Sequence, residues 1–65
     1  MYTNIGKKVE LLQAERNVTN NELAKRMGIK AQNIPGIKRA KHVRVTTVHK
    51  LAKALDVPVI YFFEE

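Results

Sequence analysis

The sequence predicts an all-α fold of five short helices, and three observations carry that prediction. First, residues 19–27 read as a capped helix. Thr19 stands three residues before Glu22, the spacing at which the hydroxyl accepts from the Glu22 N–H and the carboxylate reaches back to the Thr19 N–H. Leu23, Ala24 and Met27 then form one apolar face. Second, Gly28 stands where a helix closes through a left-handed residue, Ile29 follows as an apolar plug, and a second short element carries Ile34 and Ile37. Third, Val45, Val48, Leu51, Ala52 and Leu55 recur three to four apart, the core face of a further helix. Two short helices joined by a glycine turn within about 20 residues make a helix-turn-helix pattern, here at 19–39.

The remaining elements follow in order. Residues 1–3 read as a frayed start, with Thr3 or Asn4 capping the first helix. Ile5, Val9, Leu12 and Leu11 form its inward stripe, while Lys7, Lys8, Glu10 and Gln13 fall outside or at the rim. Arg16-Asn17 ends it. Val18 then precedes the Thr19 cap and can staple against Leu23 or Ala24 of a second helix, Asn20–Met27.

The third helix carries Pro35 and Gly36. An interior proline lacks the N–H that bonds back one turn and costs ~3 kcal/mol. Glycine adds ~1 kcal/mol relative to alanine. Two forms remain open. The helix can start late, with Asn33 or Ile34 as cap and Pro35 at the first position, where proline is favoured. Or it keeps an early turn and kinks. Pro35 also disfavours the α region for Ile34. A basic loop, Ala40–Arg44, leads to a fourth helix with Thr46 or Thr47 at its start. Val57-Pro58 breaks the chain, and Pro58 suits the first turn of a last helix from Val59 to Phe63. Tyr61, Phe62 and Phe63 cannot all face inward on a helix, so at least one is expected to be exposed or in a dimer contact.

Composition bounds the partners. At 65 residues the chain reads as one domain, 1–65. A chain of this size buries only ~60% of the surface its unfolded state exposes. With no cysteine there is no disulfide or thiolate metal site. His42 and His49 have no carboxylate partner pattern, so no metal or other cofactor is expected. Twelve Lys and Arg against six Asp and Glu give a net charge of +6, which favours an anionic partner: nucleic acid, an acidic protein or an anionic membrane. No signal peptide and no long apolar run are visible, so a cytoplasmic location is expected. Enzyme parts are missing: there is no serine or cysteine nucleophile, no His–carboxylate pair and no glycine-rich phosphate loop.

Thr19-x-x-Glu22-Leu23-Ala24, three residues, Gly28-Ile29, then Ile34 and Ile37 resemble the phage-repressor/Cro (XRE) helix-turn-helix domain. Ile5-Gly6-Lys7-Lys8-Val9 is similar to that family's first helix and Val48-His-Lys-Leu-Ala-Lys-Ala-Leu-Asp-Val57 to its fourth, so the likeness covers roughly residues 4–63. It implies a lambda-repressor-like domain that binds double-stranded DNA as a homodimer, with no small-molecule substrate and no membrane. By position, the resemblance places Asn20 at a phosphate, and Lys30, Arg39 and Lys41 at the DNA backbone. Ala31, Gln32 and Gly36 take base-contacting places, with Asn33 as a substitute if Pro35 re-phases the helix. Lys38 replaces an acidic residue common in the family; it adds charge near the DNA face and removes an internal salt bridge with the first helix. Arg44 extends the basic face. Ala40 and Asp56 stand where the family has glycine. Only Gln32 carries a bidentate amide suited to adenine, and Gly36 has no side chain to read with.

The expected function is therefore a sequence-specific transcriptional regulator of the repressor type. The alternative is a protein–protein module, an antirepressor or dimerisation partner, that kept the fold but lost base reading through Pro35-Gly36. A third reading, attachment to a membrane surface through the aromatic end and the basic loop, is the weakest.

Overall fold

A computed structural model describes residues 5–63. The described residues form four α-helices: α1 (Ile5–Arg16), α2 (Asn20–Met27), α3 (Ile34–Arg39) and α4 (Val45–Ala54). Two 3-10 turns, Ala31–Asn33 and Val59–Phe62, complete it. The fifth helix expected at the end is thus a 3-10 turn. Its N–H groups reach back three residues, Tyr61 to Pro58 and Phe63 to Ile60, both at 3.0 Å. The expected Thr3 or Asn4 cap lies outside the described residues.

One closure is used three times. At the end of α2, Gly28 is left-handed at φ 74°. Its N–H donates to the Lys25 carbonyl at 3.2 Å, and the Ile29 N–H donates to Ala24 at 3.0 Å. These are the paired bonds of a Schellman ending. Asp56, at φ 57°, repeats them after α4: Asp56 N–H to Lys53 at 3.2 Å and Val57 N–H to Ala52 at 3.0 Å. Asn17, at φ 56°, closes α1 with Val18 N–H on the Gln13 carbonyl at 2.9 Å. Asn and Asp are the non-glycine residues that tolerate this backbone best. The residue after each left-handed position is apolar (Val18, Ile29 and Val57) and joins or packs on the core.

The start of α2 is capped as the sequence implies, with the Glu22 N–H donating to the Thr19 hydroxyl at 3.1 Å. The reciprocal half of the box is not made. The Glu22 carboxylate turns along the helix to Arg26 Nε at 3.6 Å instead. At α4 the capping position is Arg44, which offers no side-chain acceptor, and the helix begins at Val45 rather than at Thr46 or Thr47.

The core joins Ile5, Val9 and Leu12 of α1, Leu23, Ala24 and Met27 of α2, Ile34 of α3, and Val48, Leu51, Ala52 and Leu55 at α4. Val18, Val43 and Phe62 fill the gaps between helices. Two expected core positions turn outward: Leu11 is 60% exposed and Val45 45% exposed. Gln13, expected at the rim, is buried. Helix α1 is therefore rotated so that Val9, Leu12 and Gln13 face inward together. Of the aromatics at the end, Phe62 is buried, Tyr61 half-buried against it edge-to-face, and Phe63 exposed. Lys8 fastens this end to α1, donating to the Tyr61 carbonyl at 3.0 Å with its ammonium over the ring.

Gly6 decides how closely α1 lies on α3. A Cβ at this position would collide with the backbone carbonyl of Lys38. Gly6→Ala is therefore expected to force the two helices apart and cost about 1–3 kcal/mol, as overpacking does. Gly36→Ala meets open space at an ordinary helical φ, so it should stabilise by roughly 0.5–1 kcal/mol through helix propensity. Urea denaturation of the two variants checks both signs.

Candidate nucleic-acid interface

Helix α3 accommodates Pro35 by tightening the turn before it. Lys30 is extended, and the Asn33 N–H donates to its carbonyl at 3.0 Å. The Ile34 N–H donates to Ala31, the next i→i+3 bond. Ala31's carbonyl is the one a regular helix would aim at the missing N–H of Pro35 and into its ring. Giving it to Ile34 removes both problems. The α-helical run then starts at Ile34 with Asn33 before it, although no side-chain cap bond forms there. Each of the two sequence readings is partly realised: the α-helix starts late, and an early turn is kept as 3-10. Ile34 itself remains α-helical at φ −62°, ψ −48°, contrary to the expectation for a residue before proline. It is fully buried in the core, and that packing outweighs the local preference. The helix ends irregularly at Ala40, which is extended at ψ 136°.

Gln32, Asn33, Gly36 and Arg39 are exposed. Their three- and four-residue spacing places them along one side of the turn and helix. Ala31 is half-buried and packs on the core. Lys30 before the stripe, and Lys41 and Arg44 after it, are exposed too. None of the side chains of Lys30, Arg39, Lys41 and Arg44 has a hydrogen bond or ion pair among the described residues. His42 sits exposed among them, while Val43 turns into the core and pins the loop.

Asn20 and Lys38 are placed differently. Both are half-buried and meet at Gln13 of α1. Lys38 Nζ donates to Gln13 Oε1 at 2.8 Å and to Asn20 Oδ1 at 3.0 Å. Gln13 Nε2 donates to the Val18 carbonyl at 3.1 Å and to Asn20 Oδ1 at 3.0 Å. Three helices are joined by this cluster. The tie between α1 and the basic residue at 38 is thus made by an amide and an ammonium, with no carboxylate. The Gln13 and Lys38 pairing was not readable from the sequence, where Gln13 looks like any polar residue on an outer helix face.

The other cations divide by the same test. Arg16 donates to the carbonyls of Leu55 and Asp56, and Arg26 to that of Ala54 at 3.0 Å. These are the open carbonyls at the end of α4, where a cation also meets the negative end of the helix dipole. A cleft beside them is lined by Arg26, Met27, Lys50, Lys53, Ala54 and Asp56, with no residue from α3 or its flanking loop. Arg16, Arg26, Lys8 and Lys38 thus serve the fold. Four of the remaining eight Lys and Arg, namely Lys30, Arg39, Lys41 and Arg44, flank the α3 stripe.

Among the described residues no helix is long and apolar enough to cross a membrane. The sequence model of one family, described as a Cro/C1-type HTH DNA-binding domain, matches residues 8–59. Comparison with curated proteins and with solved structures gives no match.

The two kinds of polar residue should separate by stability. Gln13→Ala leaves one buried and two half-buried partners unpaired and is expected to cost about 1–3 kcal/mol. Gln32→Ala, on the exposed stripe, should stay within about 0.5 kcal/mol of the parent. Thermal unfolding reads the contrast directly, since 1 kcal/mol corresponds to roughly 4–8 °C in a domain of this size.

Proposed function

The chain belongs to the Cro/C1-type helix-turn-helix DNA-binding domain family, and from that premise we propose that it is a sequence-specific transcriptional regulator of the repressor type. In this reading residues 1–65 act as one domain, in the cytoplasm, as a homodimer on a two-part operator, without catalysis. The observation that carries it is the exposed α3 stripe between cations whose side chains have no partner among the described residues. Gln32, with Asn33 beside it, offers amide donors and acceptors to base edges, adenine being the base an amide pairs with bidentately. Ala31 supplies at most a methyl contact, and Gly36 lets the α3 backbone approach the groove. Lys30, Arg39, Lys41 and Arg44 neutralise phosphates, which position the helix and carry no sequence information. Asn20 adds a neutral phosphate contact at the start of α2, and Lys38 acts from behind it.

A two-fold dimer would set its two α3 helices about 34 Å apart, one turn of DNA. Selection of bound duplexes from a random pool at ~0.15 M salt should therefore enrich an inverted repeat. With four phosphate-neutralising cations per subunit, the slope of log affinity against log salt should be about −3.6 per subunit. A slope near zero would remove the phosphate assignment. Gln32→Ala should cost about 1–3 kcal/mol of discrimination at one base pair and leave the salt slope alone.

A second reading has its own observation. Gly36 leaves the middle of the α3 face bare, and Leu11, Ile60 and Phe63 are exposed apolar side chains elsewhere. These features also suit a protein–protein module, an antirepressor or dimerisation partner. Replacing Pro35-Gly36 by Ser-Arg separates the two readings. If duplex binding appears only in that variant, the natural chain is not a DNA reader.

A further inference from the structure

The cluster at Gln13 has a direction, and Lys38 sets it. An ammonium can only donate, and a main-chain carbonyl can only accept. Lys38 Nζ lies 2.8 Å from one end of the Gln13 amide, so that end is the oxygen. The Val18 carbonyl lies 3.1 Å from the other end, so that end is the nitrogen. Two independent neighbours therefore demand the same orientation, and the usual ambiguity of an amide is removed. The Gln13 nitrogen and the Lys38 ammonium both point at Asn20, each at 3.0 Å, so the atom that receives them is Oδ1. Both acceptor sites of that oxygen are then filled. The Asn20 Nδ2 group has no acceptor among the described residues. Asn20 is half-exposed and is the first residue of α2, beside the N–H groups of the helix start.

We propose that Lys38 is a positioning residue for Asn20: by holding the Asn20 oxygen inward, it presents the amide N–H groups outward as donors to a DNA phosphate. The inference rests on the DNA-binding reading above, because a phosphate is what the outward donors meet. In this proposal Lys38 does not touch the phosphate itself; two of its three N–H donors are held by the two amide oxygens. A carboxylate at position 38 would turn Asn20 around, accepting from its Nδ2 and leaving the Asn20 oxygen facing the anion, acceptor against acceptor. Gln13 could not turn with it without setting its own oxygen against the Val18 carbonyl. The identity of residue 38 thus decides whether position 20 attracts or repels the DNA backbone, from behind the contact surface.

The first test needs neither DNA nor a variant. Side-chain amide hydrogen exchange in the free protein, followed by NMR, should show the Gln13 Nε2 protons protected and the Asn20 Nδ2 protons exchanging freely. The reverse pattern overturns the orientation. The second test uses Lys38→Met, which keeps the stem and removes the donors, on the best duplex from the selection. Lys38→Met and Asn20→Ala should each weaken binding roughly three- to tenfold, the range of one hydrogen bond. The double variant should be no weaker than either single one, and the salt slope should be unchanged. A slope shallower by about 0.9 means that Lys38 neutralises a phosphate directly. Losses that multiply in the double variant mean that the two residues act separately, which is also what a purely structural Lys38 predicts. Either result overturns the proposal. If the natural chain binds no duplex at any salt, the functional reading fails, while exchange in the free protein still decides the orientation of Asn20.

Discussion

The seating of α3 against α1 is the constraint on which the rest depends. Six residues, two of them Pro35 and Gly36, cannot hold a helix in water without help, because helix nucleation is costly and short helices are marginal. Its geometry is imposed from outside. Gly6 removes the Cβ that would strike the Lys38 carbonyl, so the two backbones come together. The Lys38 side chain then returns to α1 and bonds Gln13, while Ile34 anchors the other end of α3 in the core. The exposed stripe of Gln32, Asn33, Gly36 and Arg39 has a defined outlook because the opposite side of the same element is held at both ends.

Charge in this protein has two uses, and the net value of +6 conceals them. Arg16 and Arg26 cross from α1 and α2 to cover the last carbonyls of α4. Such carbonyls have no partner within the helix, and a charged donor both satisfies them and opposes the helix dipole. Lys8 secures the closing turn and Lys38 the centre. The segment from Lys30 to Arg44 instead carries four cations whose side chains have no partner among the described residues. An anion meeting them displaces only water and counterions, whereas one meeting Arg16 or Arg26 would have to break bonds that close a helix.

Proline 35 acts in the same segment as a local rule obeyed at the cost of regularity. The 3-10 turn before it moves the Ala31 carbonyl onto the Ile34 N–H, so no donor is lost and no ring clash arises. The outcome is an exposed element with a tight first turn carrying its two amides, a bare centre at Gly36 and one long cation at Arg39.

Much of this was legible in the residues themselves. The Thr19 cap, the span of α2 from Asn20 to Met27, the left-handed Gly28 and the inward positions Val48, Leu51, Ala52 and Leu55 are set by interactions within four residues along the chain. The sequence alone carries such information. It also narrowed α3 to a late start or an early turn with a kink, since proline restricts its own turn, and each form is partly realised. It could not show that Leu11 and Val45 face outward while Gln13 faces in, because a helix with apolar residues at 5, 9, 11 and 12 can be rotated either way until its neighbours are placed. Nor could it show which cations are spent. Arg16 meets a carbonyl 39 residues away, and Lys38 an amide 25 residues away. Local caps, turns and periodicity determined α1, α2, α4 and the order of the elements, while the exposed residues of α3 were assigned by resemblance and the expected last helix is a 3-10 turn. Only the tertiary structure decided which polar groups are satisfied internally, because the satisfaction of a buried donor or acceptor depends on partners that the chain brings together from its distant parts.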